Sequence, residues 1–185
     1  MNQHALVFAS LFAVAAAFAA AGCDGAAPAA LAGAAKEGDD LAAEIKALKE
    51  LIPDQAHIMA DVGGHFTNLW FAGEAENWPL ADFYLGETKS HLRWAVRSKP
   101  VRKDDAGRDV NLSGILEAFE NSQLTQLKQA VDRKDKAAFE TIYRDSLTVC
   151  YSCHKASDKP YLRPQIPARP ETGVINFDPK AAWPR

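Results

Sequence analysis

With 185 residues, 21 basic against 24 acidic side chains and a formal charge of −3, the chain lacks the positive field that a nucleic-acid partner calls for. Its length allows one compact core and is too short for two comfortable domains once the leader described next is removed.

Residues 1–22 contain no Asp, Glu, Lys or Arg, and from Ala5 to Ala21 they are almost wholly Ala, Leu, Phe and Val. The run is long enough to raise a transmembrane helix as an alternative. Its Ala content and its end in small residues instead predict a cleaved export signal peptide. Ala20-Ala21-Gly22-Cys23 is similar to a bacterial lipobox, in which the cysteine becomes the acylated first residue. Ala20 stands where Leu is usual, and Met1-Asn2-Gln3-His4 has no Lys or Arg, so an ordinary soluble leader is the alternative. The expectation is a protein on the periplasmic side, anchored to the membrane through a lipidated Cys23.

Residues 23–38 read as a low-complexity tether of Ala and Gly. From Leu41 the apolar residues Leu41, Ile45, Leu48, Leu51 and Ile52 fall at helical spacing and predict a short lead-in helix ending at Pro53. Ile58, Met59, Val62, Phe66, Leu69 and Trp70 predict a long helix after it. Asn77, with Pro79 in the following turn, caps another helix running to about Arg97, with Leu80, Ala81, Tyr84, Thr88, Leu92 and Ala95 inward. Residues 98–107 read as a charged, turn-rich loop.

Leu112, Ile115, Leu116, Phe119, Leu124, Leu127 and Val131 predict a third long helix, irregular around Asn121 and Ser122. Asp135 caps a fourth, whose inner stripe is Phe139, Ile142, Ser146, Val149, Cys150 and Cys153, all within about 100° on the helical wheel. Beyond it, Pro160, Pro164, Pro167, Pro170, Pro179 and Pro184 exclude a long helix, yet Tyr161, Ile166, Val174, Ile175, Phe177 and Trp183 predict a tail (residues 160–185) of which part packs on the rest. No segment alternates apolar and polar residues over strand length. The predicted fold is all-α: a four-helix bundle over residues 39–159, preceded by a lead-in helix and followed by an extended Pro-rich tail.

Cys150-Tyr151-Ser152-Cys153-His154 carries the chemistry. Cys-x-x-Cys-His is the attachment signature of a c-type haem: two thiols add to the haem vinyl groups and the adjoining imidazole ligates the iron. A thioredoxin-like pair is disfavoured because such pairs open a helix after a strand, whereas this one closes a helix. Half of a zinc site is disfavoured because the remaining cysteine, Cys23, belongs to the leader. Since the thiols continue the apolar stripe, one covalent haem c is expected inside the bundle.

The arrangement resembles the four-helix-bundle cytochromes c, in the broad style of cytochrome c'. More narrowly, His65-Phe66-Thr67-Asn68-Leu69-Trp70-Phe71-Ala72, Asn77-Trp78-Pro79-Leu80-Ala81 and the late Cys-x-x-Cys-His look like a family of bacterial exported mono-haem proteins. The resemblance spans about residues 57–183 and implies haem and fold.

The position on the iron opposite His154 decides function. Outside the leader the candidates are Met59, inside the core stripe of its helix; His65, at the border of that stripe; His91, flanking the stripe of the next helix; and His57, on the far side. His65 is the sharper candidate and Met59 the second; a structural histidine and a flexible core methionine are the plain alternatives. With a protein ligand there, the chain transfers electrons to and from a redox partner protein. With an open apolar distal side, it binds or senses a gas. Nothing outside the motif forms a catalytic constellation, so an enzyme is not expected. Mass spectrometry of the mature N-terminus tests the leader: an acylated Cys23 is expected, and an unmodified Ala or Cys there rules the anchor out.

Overall fold

The computed structural model describes residues 26–182, with side chains from residue 36. The expected signal peptide, Cys23 and Trp183 lie outside the described residues. The chain divides into two compact units between Lys49 and Glu50, and each is taken by itself. Helices dominate both, as the all-α expectation had it.

Helix α1 (Ala26–Glu50) begins inside the stretch read as a tether. Alanine loses no side-chain entropy on entering a helix, and Pro28, in the first turn, gives up an amide that would have no intrahelical partner. From Lys36 to Glu50 every side chain is exposed, Leu41, Ile45 and Leu48 included, so this part of the helix contributes no buried residue.

In the second unit Asp54 caps α2 (Gln55–Glu74), its carboxylate accepting the His57 amide at 2.9 Å. Ile58, Val62, Phe66, Leu69 and Trp70 face inward, close to the predicted stripe. Asn77 caps α3 (Trp78–Ser98), and α3 makes its most extensive packing against α2. Residues 98–107 depart from the expected loop. Val101–Lys103 (β1) pairs antiparallel with Asp109–Asn111 (β2) through a turn in which Gly107 takes φ +79° and Asp104 accepts the Arg108 amide at 2.7 Å. Strands of three residues are too short to show alternation, so periodicity could not reveal them.

The third predicted helix is three pieces: α4 (Leu112–Phe119), a π-helical turn (Glu120–Leu124) and α5 (Thr125–Arg133). The irregularity read at Asn121 and Ser122 is this turn. Its i→i+5 bonding brings Phe119 and Leu124, five residues apart, onto one side, and both are buried. Lys134 then adopts a left-handed conformation, and Asp135 caps α6 (Lys136–Ala156) by accepting the Ala138 amide.

The core gathers α6 against α2. Phe139 and Tyr143 are buried among Phe66, Trp70 and Trp78. Tyr143, absent from the predicted stripe, is 1 % exposed; its ring stacks on Phe66 at 4.3 Å and its hydroxyl donates to the Phe66 carbonyl at 2.9 Å. After α6 the chain has no further helix among the described residues. It returns over α2 and α3: the Glu171 amide donates to the Asn68 side chain, the Asn77 side chain donates to the Phe177 carbonyl, and the Phe177 ring lies against Tyr84 and Phe71.

Gly73 lies where α2 meets Phe139, and a Cβ there would stand 2.1 Å from the Phe139 ring. At exposed Gly86 a Cβ meets nothing within 4 Å. Gly73→Ala is therefore expected to destabilise by about 1–3 kcal/mol through overpacking. Gly86→Ala in α3 is expected to stabilise by about 0.5–1 kcal/mol through helix propensity. Denaturant midpoints of the two variants check both signs.

Candidate cofactor site

The site is built at the C-terminal end of α6. Val149, Cys150, Cys153 and His154 line a cavity of about 630 Å³, within the range of cofactor pockets. Opposite walls come from α2 (Met59, Val62, Gly63, Phe66), α3 (Thr88, Leu92, Ala95, Val96) and α4 (Leu112, Ile115, Leu116, Phe119). These walls are aliphatic and aromatic almost throughout. The polar groups include Arg102 from β1, Gln55 at the start of α2, and Lys159 and Arg163 from the chain after α6. Arg102 donates to Gln55 at 2.7 Å, and Gln55 in turn donates to the Ala95 carbonyl at 3.0 Å. The cavity thus offers an apolar interior with three cationic side chains, suited to a large flat apolar group bearing carboxylates.

His154 is held by the chain that follows it. Its Nδ1 lies 2.7 Å from the Leu162 carbonyl, and because a carbonyl only accepts, that contact requires the proton on Nδ1. In the neutral ring Nε2 then carries the lone pair, the arrangement of a ligating imidazole fixed by an outer hydrogen bond. The turn that brings Leu162 back is closed by the Lys159 amide on the His154 carbonyl and by the Tyr151 hydroxyl on the Pro160 carbonyl. The Asp158 carboxylate accepts the Asp105 amide and ties that turn to the β1–β2 connection.

Burial, and secondarily the neighbouring Cys153, pushes the Cys150 thiol up to about 12, and burial raises Cys153 as well. Both stay protonated at neutral pH. Dithiol redox pairs and metal-binding thiols work as thiolates, favoured at the positive end of a helix; this pair sits at the opposite end, among apolar side chains. The pair therefore lacks the helix-terminal activation that dithiol redox couples use.

Of the residues singled out in the sequence, Cys150, Cys153, His154 and Met59 come together on one cavity. His65 does not line it. It lies beside His91 of α3, with ring centroids 4.7 Å apart, and burial and then His91 hold its imidazole below the usual histidine range. His57 is exposed and pairs with Asp54, a capping role. Phe66 lines the cavity while Leu69 is wholly buried in the core. Trp70 and Trp78 pack in the core and Trp94 is partly exposed. Of the basic loop residues, Lys103 and Arg108 pair with Asp109 and Asp104, and Arg102 turns to the cavity.

The sequence reading missed Arg102 as a lining residue, together with Lys159, Arg163 and the Leu162 carbonyl. They stand outside the helices, where no periodicity assigns a direction, and a carbonyl has no signature in the sequence. Among the described residues no helix is long and apolar enough to cross a membrane. Compared with family models, with curated proteins and with solved structures, the chain matches none.

Proposed function

We propose that this protein is an exported mono-haem cytochrome c that transfers electrons on the periplasmic side, held to the membrane through a lipidated Cys23. In this reading α2, α3, α4 with α5, and α6 act as a four-helix bundle around one haem c, and the Pro-rich tail closes over them. The observation that carries it is that Cys150, Cys153 and His154, the three residues of the attachment motif, share one apolar cavity of about 630 Å³. The residues fit the group: two reduced thiols for thioether links, an imidazole with a free Nε2, apolar walls for a macrocycle, and Arg102, Lys159 and Arg163 for its carboxylates.

Haem bound there supplies a one-electron iron couple. The protein's part is to set that couple and shield it. His154, oriented by the Leu162 carbonyl, would ligate the iron. Met59 is the distal candidate that lines the same cavity, and the distal role proposed from sequence for His65 passes to it. If Met59 joined His154 in holding the iron, its thioether would favour a higher potential than a second imidazole and would limit the bond changes accompanying each electron. A redox protein is the partner in this reading, and no catalysis is assigned.

The apolar walls of Val62, Phe66, Leu92, Ile115 and Leu116 support a second reading. If Met59 stays off the iron, the distal side is open and nonpolar, as suits a gas-binding protein of the cytochrome c' style.

Two experiments test these assignments. The mature protein, produced with haem-maturation machinery, is expected to carry one haem that survives acid extraction; the double variant Cys150→Ala/Cys153→Ala is expected to release all of it. A colourless wild-type protein of unmodified mass defeats the proposal. Met59→Ala is expected to convert low-spin ferric haem to high spin and to lower the potential by on the order of 0.1 V. An unchanged spectrum with immediate carbon monoxide binding in the wild type selects the gas-binding reading instead.

A further inference from the structure

We propose that His65, Glu87 and His91 form a second metal site, on α2 and α3 and separate from the cavity lined by Cys150 and His154, which takes a single divalent ion of the zinc class.

The three residues converge from two helices. Glu87 and His91 are four apart on α3 and so share one face, and α2 brings His65 against them. One potential ligand atom from each lies within 4.8 Å of the others. Bonds of about 2.0–2.1 Å at tetrahedral angles set donors about 3.4 Å apart, so a shift of roughly an ångström at the side-chain ends closes the set on one ion. Two imidazoles and a carboxylate, with a fourth position for water, suit zinc among the common divalent ions, whereas magnesium and calcium require oxygen donors.

The surroundings favour binding over a plain interface. The His91 Nδ1 lies 3.0 Å from the Glu87 backbone carbonyl and 3.9 Å from the Glu87 carboxylate, so the ring already faces its prospective co-ligand. The His91 side chain is 20 % exposed and that of Glu87 37 %, so an ion reaches them from solvent without opening the core. Tyr84 and Trp94 flank the imidazoles, with ring centroids 6.2 Å from His65 and 5.9 Å from His91.

The site sits behind the cavity on the same two helices: Phe66 and Thr88, which line the cavity, are the chain neighbours of His65 and Glu87. An ion held there clamps α2 to α3 and fixes the wall that carries Met59. The inference does not need the haem assignment, because zinc binding is read without colour.

The test is calorimetric titration of tag-free mature protein, stripped with chelator, with zinc chloride. One site per chain at micromolar affinity or tighter is expected, weakened by about tenfold or more in His65→Ala and in His91→Ala and unaltered in His57→Ala. Glu87→Gln keeps the size of the side chain and is expected to weaken binding with an unchanged far-ultraviolet dichroism spectrum. Zinc is also expected to raise the thermal midpoint of the wild type and not that of the His65→Ala/His91→Ala double variant. Absence of saturable binding in the wild type overturns the proposal, as does binding that survives the double variant. A haem spectrum altered by His65→Ala also overturns it, since it would make His65 an iron ligand.

Discussion

Tyr143 lies flat against Phe66, 4.3 Å between ring centroids, and its hydroxyl donates to the Phe66 carbonyl at 2.9 Å. Burial alone would let α6 slide or roll against α2, because apolar contact has no direction; a buried hydrogen bond has one, and leaving it unmade is costly. Cys150 follows Tyr143 by seven residues, two turns along the same face. Fixing the ring of Tyr143 inward therefore fixes the Cys150 thiol inward too, with Cys153 and His154 on the turn that follows. The orientation of Cys150, Cys153 and His154 depends on an aromatic contact two turns away.

The same packing explains the shape of the space the motif faces. Where α6 meets the end of α2, Gly73 allows the Phe139 ring to come close, and the two helices pack tightly there. Toward the C-terminal end of α6 the walls are set by α4 as well as by α2 and α3, and a cavity remains among them. The π-helical turn contributes at this point: it keeps Phe119 on the cavity wall while Leu124 and Leu127 of the next segment stay in the core. A straight α-helix through residues 112–133 would turn one group or the other outward. The chain after α6 then supplies what helices cannot, a free carbonyl at Leu162 for the His154 ring.

The α2–α3 pair has two working faces. One lines the cavity with Met59, Phe66, Thr88 and Leu92; the other brings His65, Glu87 and His91 together. The division makes sense of the histidines. An imidazole beside an apolar cavity and one beside a carboxylate and a second imidazole meet different fields. In the proposed reading His154 serves iron, while His65 and His91 serve a second metal.

Much of this was legible in one dimension. The caps at Asn77 and Asp135, the inward stripes of α2, α3 and α6, the break in period at Asn121 and Ser122, and Cys150-Tyr151-Ser152-Cys153-His154 itself all follow from residue type and spacing, because caps and helical periods are local physics. The sequence alone determined that the chain is helical and that two thiols and an imidazole close its last helix on the core side. Tertiary structure decided the rest. His65 lies at the edge of its stripe, where a rotation of α2 by a few tens of degrees sends it to the cavity or away, and the crossing with α3 settled that rotation. The short β1–β2 pairing, the return of the tail to His154, and the meeting of Met59 with Cys150 are contacts between residues far apart in sequence. Their geometry comes from how whole helices pack, which no local spacing encodes.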